Sequence, residues 1–351
     1  MLDKRLFGKL PDGREVFLYS LKNKIGTQIN IINYGAIITN INLKDKRGRL
    51  SDVVLGYDSL EGYLNDKSFL GAIVGRYGNR IKNGKFRLNG TTYQLACNDG
   101  KNHLHGGMVG FSKVLWTAEP VVNKSGSLLK LTYTSPDGEE GYPGTVTLTV
   151  FYSLTEDNGL LINFQGITDK PTILNPTQHS YFNLSGDFSK SILEHELQIE
   201  SDKFTPTDEE QITTGDIIEV AGTPMDFRKL IPIGRKINAD FQQLKYGNGY
   251  DHNWILKNYN SIIRKAASVF EPGTGKLLEV YTDQPGMQFY SGNSLNGSIK
   301  GKNGISFKPR TGLCLETQHY PDSPNQPSFP SAVLKPGETY RHSTIYKFST
   351  K

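Results

Sequence analysis

The chain has 351 residues and a net charge of +5, with its basic residues scattered rather than gathered into stripes with interleaved aromatics, so nucleic acid is excluded as a partner. Its two cysteines, Cys97 and Cys314, have no metal-type spacing and no disulfide framework, and each is expected as a buried free thiol. The start is charged (Met1-Leu2-Asp3-Lys4-Arg5) and no apolar run is long enough to span a bilayer, which points to a cytoplasmic protein without a membrane partner.

In chain order the elements are almost all strands and turns. Thirty-seven glycines, with 18 Tyr and 17 Phe against 4 Met, favour a β-rich fold. Asn-Gly or Asp-Gly pairs recur from 12–13 to 303–304 and supply the positive φ angles of tight hairpins. Lys44-Asp45-Lys46-Arg47-Gly48-Arg49 reads as a solvated turn, Ser59–Leu64 as a short helix, and Phe86–Tyr93 as a hairpin about Asn89-Gly90. Leu129, Leu131 and Tyr133 alternate with polar residues. So do Val146, Leu148, Val150, Tyr152 and Leu154, the period of half-buried antiparallel strands. Asn238–Leu244 is a second short helix. With no repeat and no linker-like stretch, the expectation is all-β: one large antiparallel β-sandwich domain spanning 1–351.

Seven histidines have to be sorted. His195 shares parity with Leu193, Leu197 and Ile199 and reads as a packed or edge-strand residue, while His342 falls in a charged C-terminal stretch and reads as surface. His105 precedes Gly106-Gly107, where missing side chains let a ligand approach the backbone, and His179 sits among hydrogen-bonding groups and aromatics in Asn175–Leu184. Glu316 ends the apolar run Leu313-Cys314-Leu315 before a proline-punctuated loop. A carboxylate there is partly desolvated yet open to a small molecule, which suits a base of raised pKa. Two other chemistries use the same residue types: a metal held by the His103-x-His105 pair, and a glycosidase using Asp251 with Glu316 as its carboxylates.

Five blocks then resemble the aldose 1-epimerase (galactose mutarotase) family. They are Gly75-Arg76-Tyr77-Gly78-Asn79-Arg80-Ile81, Leu104-His105-Gly106-Gly107, Asn175–Leu184, Gly249-Tyr250-Asp251-His252-Asn253, and Leu315-Glu316-Thr317-Gln318 with its proline-rich continuation. Pro285–Asn293 supports them, and the matches span nearly the whole chain in the family's order. Gln178 departs from the family's usual Asn before the histidine, keeping an amide on a longer arm that bears on how His179 is oriented. The resemblance implies a β-sandwich holding a free sugar on an open sheet face, with no metal and no cofactor. It implies Glu316 as general base and His179 as general acid, with His105 beside them, and Arg80, Asn79, Asp251 and Gln288 as sugar-binding groups.

Those residue types fit the implied reaction. Exchange of α and β anomers requires a base at the C1 hydroxyl and an acid at the ring oxygen, then the reverse on the other face after rotation about C1–C2. Tyr181, Phe289 and Tyr320 are candidates for the aromatic wall against the sugar's apolar face. Two rival functions are a hexose-phosphate 1-epimerase, which needs an arginine cluster (Arg76, Arg80, Arg310), and a carbohydrate-binding sandwich without turnover. Monomer and homodimer both remain open.

Overall fold

Hairpins organise the chain, and their tips carry the residues that tolerate left-handed backbone. Asn89 (φ 48°) and Gly90 (φ 82°) turn strand Lys85–Leu88 into Thr91–Gln94, as the sequence predicts. The computed structural model describes residues 2–123 and 126–351. Within them the strands form three larger antiparallel sheets and several two-stranded ribbons. The N-terminal sheet takes Leu2–Lys9, Glu15–Lys22, Gln28–Ile32, Ile38–Lys44 and Leu50–Asp52 in sequence order.

The largest sheet has nine strands, ordered Thr117–Asn123, Gly126–Ser135, Val146–Leu154, Gly159–Thr168, Tyr340–Thr350, Lys276–Thr282, Arg264–Glu271, Glu196–Ile199 and Ile231–Pro232. Its inner face follows from period-two sequence: Val146, Leu148, Val150 and Tyr152 are buried while their neighbours are partly open. The third sheet is ordered Ile218–Glu219, Lys203–Thr205, Asp251–Ile255, Gly286–Tyr290 and Cys314–Gln318.

One continuous core joins the three. Ile29 and Ile41 of the first sheet, Leu148 and Ile162 of the second, and Trp254, Phe289 and Leu315 of the third belong to the same buried cluster. Polar pins cross the layers: the Tyr152 hydroxyl donates to the Ala36 carbonyl (2.9 Å) and the Tyr346 hydroxyl to the Leu315 carbonyl (3.1 Å). The second of these fixes the backbone beside Glu316.

Three expectations need correction. The second helix is Gln242–Gly247, not Asn238–Leu244; it ends at Asn248 in the left-handed region (φ 49°), the Asn-Gly stop that marks its C-terminus. Leu60–Leu64 is the first helix, with Ser59 as its N-cap residue. His342 is buried, not on the surface. It lies on the inward parity of Tyr340–Thr350, stacks on Phe164 (4.7 Å between ring centres) and bonds Thr317 and Thr344, so the flanking charges belong to the opposite face. Cys97 is exposed; only Cys314 is the buried thiol expected of both. Of the two roles open to His195, the packed one holds, its Nε2 accepting the Leu184 N–H (3.0 Å).

Candidate active site

The third sheet has two unlike faces, and the difference places the site. Cross-strand register sets Asn253, Gln288 and Glu316 in one row and Asp251, Tyr290 and Cys314 in the next, all projecting on the same side. The alternate residues Trp254, Met287, Phe289 and Leu315 project into the core. A ladder of apolar residues thus anchors a ladder of carboxyl, amide and thiol groups, and no loop flexibility intervenes between Glu316 and its support.

The histidines reach this face from other segments. Strand Thr177–Gln178 pairs with Ile73–Val74. The His179 N–H donates to the Ala72 carbonyl (2.8 Å), and the Gly71 N–H to the His179 carbonyl (3.0 Å). Gln178 braces this turn: its Nε2 donates to the Gly71 carbonyl and its Oε1 accepts the Ser180 N–H, both at 2.8 Å. The longer amide therefore holds His179 in place.

His105 follows the short strand His103–Leu104 and sits at φ 51°. It is locked to Asn79 twice: the Asn79 N–H donates to His105 Nδ1 and the His105 N–H to the Asn79 carbonyl, each at 3.1 Å. Gly106 (φ 92°) lets the chain turn there, since a Cβ at this position would lie 1.7 Å from the Gly75 carbonyl oxygen. Glu140 ties down the next residues by accepting the N–H groups of Met108 and Val109.

These elements converge on a cleft of about 610 Å³, counted to its open mouth, within the range of small-molecule sites. His105, His179 and Glu316 bring donor or acceptor atoms within 4.8 Å of one another. His179 Nε2 is 3.6 Å from Glu316 Oε1, and the two imidazoles meet edge to face at 5.0 Å. Phe69 packs on both rings, at 4.8 Å from His105 and 6.0 Å from His179.

Arg80 donates from Nε to Asp99 (2.8 Å) and from Nη2 to Gln211 (2.6 Å), leaving Nη1 toward Asp251 at 3.9 Å. Gln288 Nε2 donates to Asp251 Oδ1 (2.7 Å). Two buried oxygens here, Glu316 Oε2 and Gln288 Oε1, have no partner among the described residues. Unpaired acceptors of this kind are costly unless a ligand supplies donors.

Burial dominates the electrostatics. It drives the Glu316 carboxyl well above the ordinary carboxylate range, Asp251 adds to the rise, and Arg80 opposes it. It lowers the His179 imidazole to about 4 and takes His105 well below its usual value, helped there by His179 and Arg80. Asp251 is raised by burial against the pull of Arg80 and Gln288.

The cleft brings together Asn79, Arg80, His105, His179, Asp251 and Glu316, with Gln288 behind Asp251. Tyr181 lines it, but two other aromatic candidates do not. Phe289 has core parity, and Tyr320 packs on Phe329. Their places are taken by Phe69 and Tyr290, which sequence reading missed along with Lys67 and Gln211. Phe69 and Gln211 hold positive φ (59° and 60°), which their residue types do not announce.

Two alternatives lose their geometry. His103 turns away from His105, bonding the Ala96 carbonyl and the Tyr142 hydroxyl at 2.6 Å each, so the alternative of a His103–His105 metal pair loses its geometry. The His105–His179–Glu316 trio fits a cation poorly as well. With Nδ1 occupied by the Asn79 N–H, the ring proton of neutral His105 sits on Nε2, and neither nitrogen offers a free lone pair.

The arginine cluster needed for a phosphate does not assemble among the described residues, because of its three members only Arg80 lines the cleft. Arg76 is buried and spends its donors on Ser135, Pro136 and Pro143, while Arg310 reaches Asn238 and the Asn248 carbonyl at an exposed position.

The family profile described as Aldose 1-epimerase matches residues 18–347. The chain belongs to that family. It is 47% identical to galactose mutarotase of Bos taurus over 347 residues, covering 99% of this chain and 98% of the relative. It is 38% identical to aldose 1-epimerase of Escherichia coli (strain K12), covering 96% of each. The crystal structure of galactose 1-epimerase from Lactobacillus acidophilus NCFM superposes with a TM-score of 0.88 at 30% identity, covering 100% of this chain and 99% of that one. As an aldose 1-epimerase homologue the chain is an isomerase, and its fold is the galactose mutarotase sandwich.

Proposed function

We propose that this aldose 1-epimerase exchanges the α and β anomers of free hexoses, galactose and glucose first among them, with Glu316 as base and His179 as acid. The observation that carries the assignment is the buried Glu316–His179 pair at 3.6 Å, set beside a row of groups suited to sugar hydroxyls.

Burial penalises net charge on the pair, so it is best occupied by a single shared proton. In one form Glu316 is a carboxylate and His179 an imidazolium; in the other both are neutral. The first form opens the ring. Glu316 takes the proton of the C1 hydroxyl, the O–H pair forms the aldehyde C=O, the C1–O5 bonding pair moves to O5, and O5 receives the Nε2 proton of His179. The pair is then in its neutral form. After rotation about C1–C2 the steps run backwards on the other face and restore the charged form. One proton count serves both directions.

His105 presents Nε2–H as a donor to an oxygen on which negative charge grows. Arg80 and Asp251 offer complementary donor and acceptor groups to vicinal hydroxyls. Gln288, through its bond to Asp251 and its own unpaired oxygen, and Asn79, through its hold on His105, complete the binding set.

No step needs a metal or cofactor. The scheme takes the chain as one domain acting on a small sugar, cytoplasmic, as monomer or homodimer. No helix among the described residues is long and apolar enough to cross a membrane.

The free-sugar reading rests on Arg76 being consumed internally, and the catalytic reading on the acid–base pair, which a binding module does not need. Anomer exchange of galactose, glucose and glucose 6-phosphate, each followed by polarimetry with EDTA present, tests it. Acceleration of the free sugars far above the phosphate is expected; acceleration confined to the phosphate would overturn the substrate class.

A further inference from the structure

We infer that Cys314 is a positioning residue for the acid step: its sulfur accepts the Nδ1–H of His179, so the proton gained and lost in turnover is confined to Nε2, the nitrogen facing Glu316. This rests on the acid–base assignment above.

Cys314 and Glu316 stand two residues apart on one strand, so both side chains leave the same face. They bracket the imidazole. Cys314 Sγ is 3.6 Å from Nδ1, and Glu316 Oε1 is 3.6 Å from Nε2. All three groups are buried, and among the described residues no other side chain bonds His179 Nδ1 or the sulfur. The remaining neighbours of the ring are His105, Tyr181 and Phe69, while Arg80 and Asp251 act on Glu316.

The direction of the Cys314–His179 bond follows from the proton count. With one proton shared between Glu316 and Nε2, the imidazole carries a proton on Nδ1 in both forms of the pair, and the side-chain acceptor in front of it is the Cys314 sulfur, with the residue's own backbone carbonyl the other acceptor in reach. Burial holds the Cys314 thiol protonated by pushing it well above its ordinary value, so the acceptor is a neutral sulfur with free lone pairs.

The weakness of that acceptor matters. A carboxylate behind His179 would form a charge-assisted bond roughly twice as strong as a neutral one and would stabilise the imidazolium, making it a poorer acid. Sulfur orients the ring and fixes its tautomer without doing so.

The test is nitrogen NMR of the full chain labelled with ¹⁵N-histidine, the His179 signals being assigned from their loss in His179→Gln. At neutral pH Nδ1 of His179 is expected to be the protonated nitrogen. A bare Nδ1 with the proton held on Nε2 would overturn the proposal, whatever the activity.

Kinetics give a second reading. Cys314→Ser keeps an acceptor, and its kcat should stay within about threefold of the parent; Cys314→Ala should lose about tenfold in kcat with KM unmoved. Equal kcat for the Ser and Ala variants would assign Cys314 to packing alone. Should the parent protein not exchange anomers, the enzymatic assignment falls on its own, and the NMR result still decides the tautomer.

Discussion

His179 Nε2 lies 3.6 Å from Glu316 Oε1, and both side chains are almost wholly withdrawn from solvent. The two groups respond to burial in opposite directions, the carboxyl upward and the imidazole downward, because each resists its own charged form. On the proposed scheme they hold one proton between them. A pair of this kind exchanges acid and base roles without help from solvent, which is what a reaction running equally in both directions requires.

If His179 delivers that proton, His179→Asn removes the acid and leaves the hydroxyl-binding groups in place. We expect kcat to fall by about 10²–10⁴-fold with KM changed little. Initial rates over a range of galactose concentrations check this; a raised KM at unchanged kcat would make His179 a binding residue.

The pH profile should be a bell. As pH falls through about 4 a second proton enters at His179 and Glu316 is no longer available as base, so the rate drops. As pH rises the pair loses its shared proton, and this limb reports Glu316, well above the ordinary carboxylate range. Asp251 raises Glu316, so Asp251→Asn should move the basic limb of kcat to lower pH. A limb that stays in place in Asp251→Asn would remove Asp251 from the electrostatics of the base.

Acid should weaken the fold through its buried imidazoles before the surface carboxylates titrate. Burial lowers His195 and His319 to about 4, and His252 and His342 to about 3. Their unfolded values lie near 6.5, so the unfolded chain binds more protons below that pH, and stability is lost as pH falls from about 6.5 toward 4. Urea midpoints at pH 7.5 and pH 5 measure it: a lower midpoint at pH 5 is expected, and an equal or higher one would show that proton uptake by the native state, at these rings or at the raised carboxyls Glu316 and Asp251, offsets the loss.

Gly106 is a backbone requirement. Gly106→Ala would bring Cβ against the Gly75 carbonyl at a φ of 92°, displacing His105 with it. A loss of about 1–3 kcal/mol in stability, with reduced kcat in whatever folds, is the expected outcome. Urea denaturation and polarimetry on one preparation decide it, and a variant with parental midpoint and rate would contradict the packing described here.

Much of this was legible in the sequence where period and turn chemistry speak directly. Val146–Leu154 and the Asn89-Gly90 hairpin are local patterns, and the structure reproduces them. Glu316 and Asp251 could be singled out by type and surroundings; that they share one sheet face follows from a register that no single segment encodes.

His342 was misplaced because its charged neighbours occupy the other side of the same strand, and Phe289 because aromatic character does not reveal parity. Phe69 and Gln211 enter the cleft on left-handed loop positions, a conformation that neither Phe nor Gln signals. The distance between Cys314 and His179 joins segments 135 residues apart and is a property of the fold alone.

The most direct test of the central claim compares the parent protein with Glu316→Gln, following the decay of freshly dissolved α-D-galactose by polarimetry at neutral pH with EDTA present. The account predicts rapid decay to the ordinary equilibrium rotation for the parent. It predicts a rate about 10²–10⁴-fold lower for Glu316→Gln, with galactose binding retained by calorimetry. A variant that keeps more than a few per cent of the parental rate, above the roughly 1 % or less that loss of one positioned base leaves, would take Glu316 out of the base role and contradict the account.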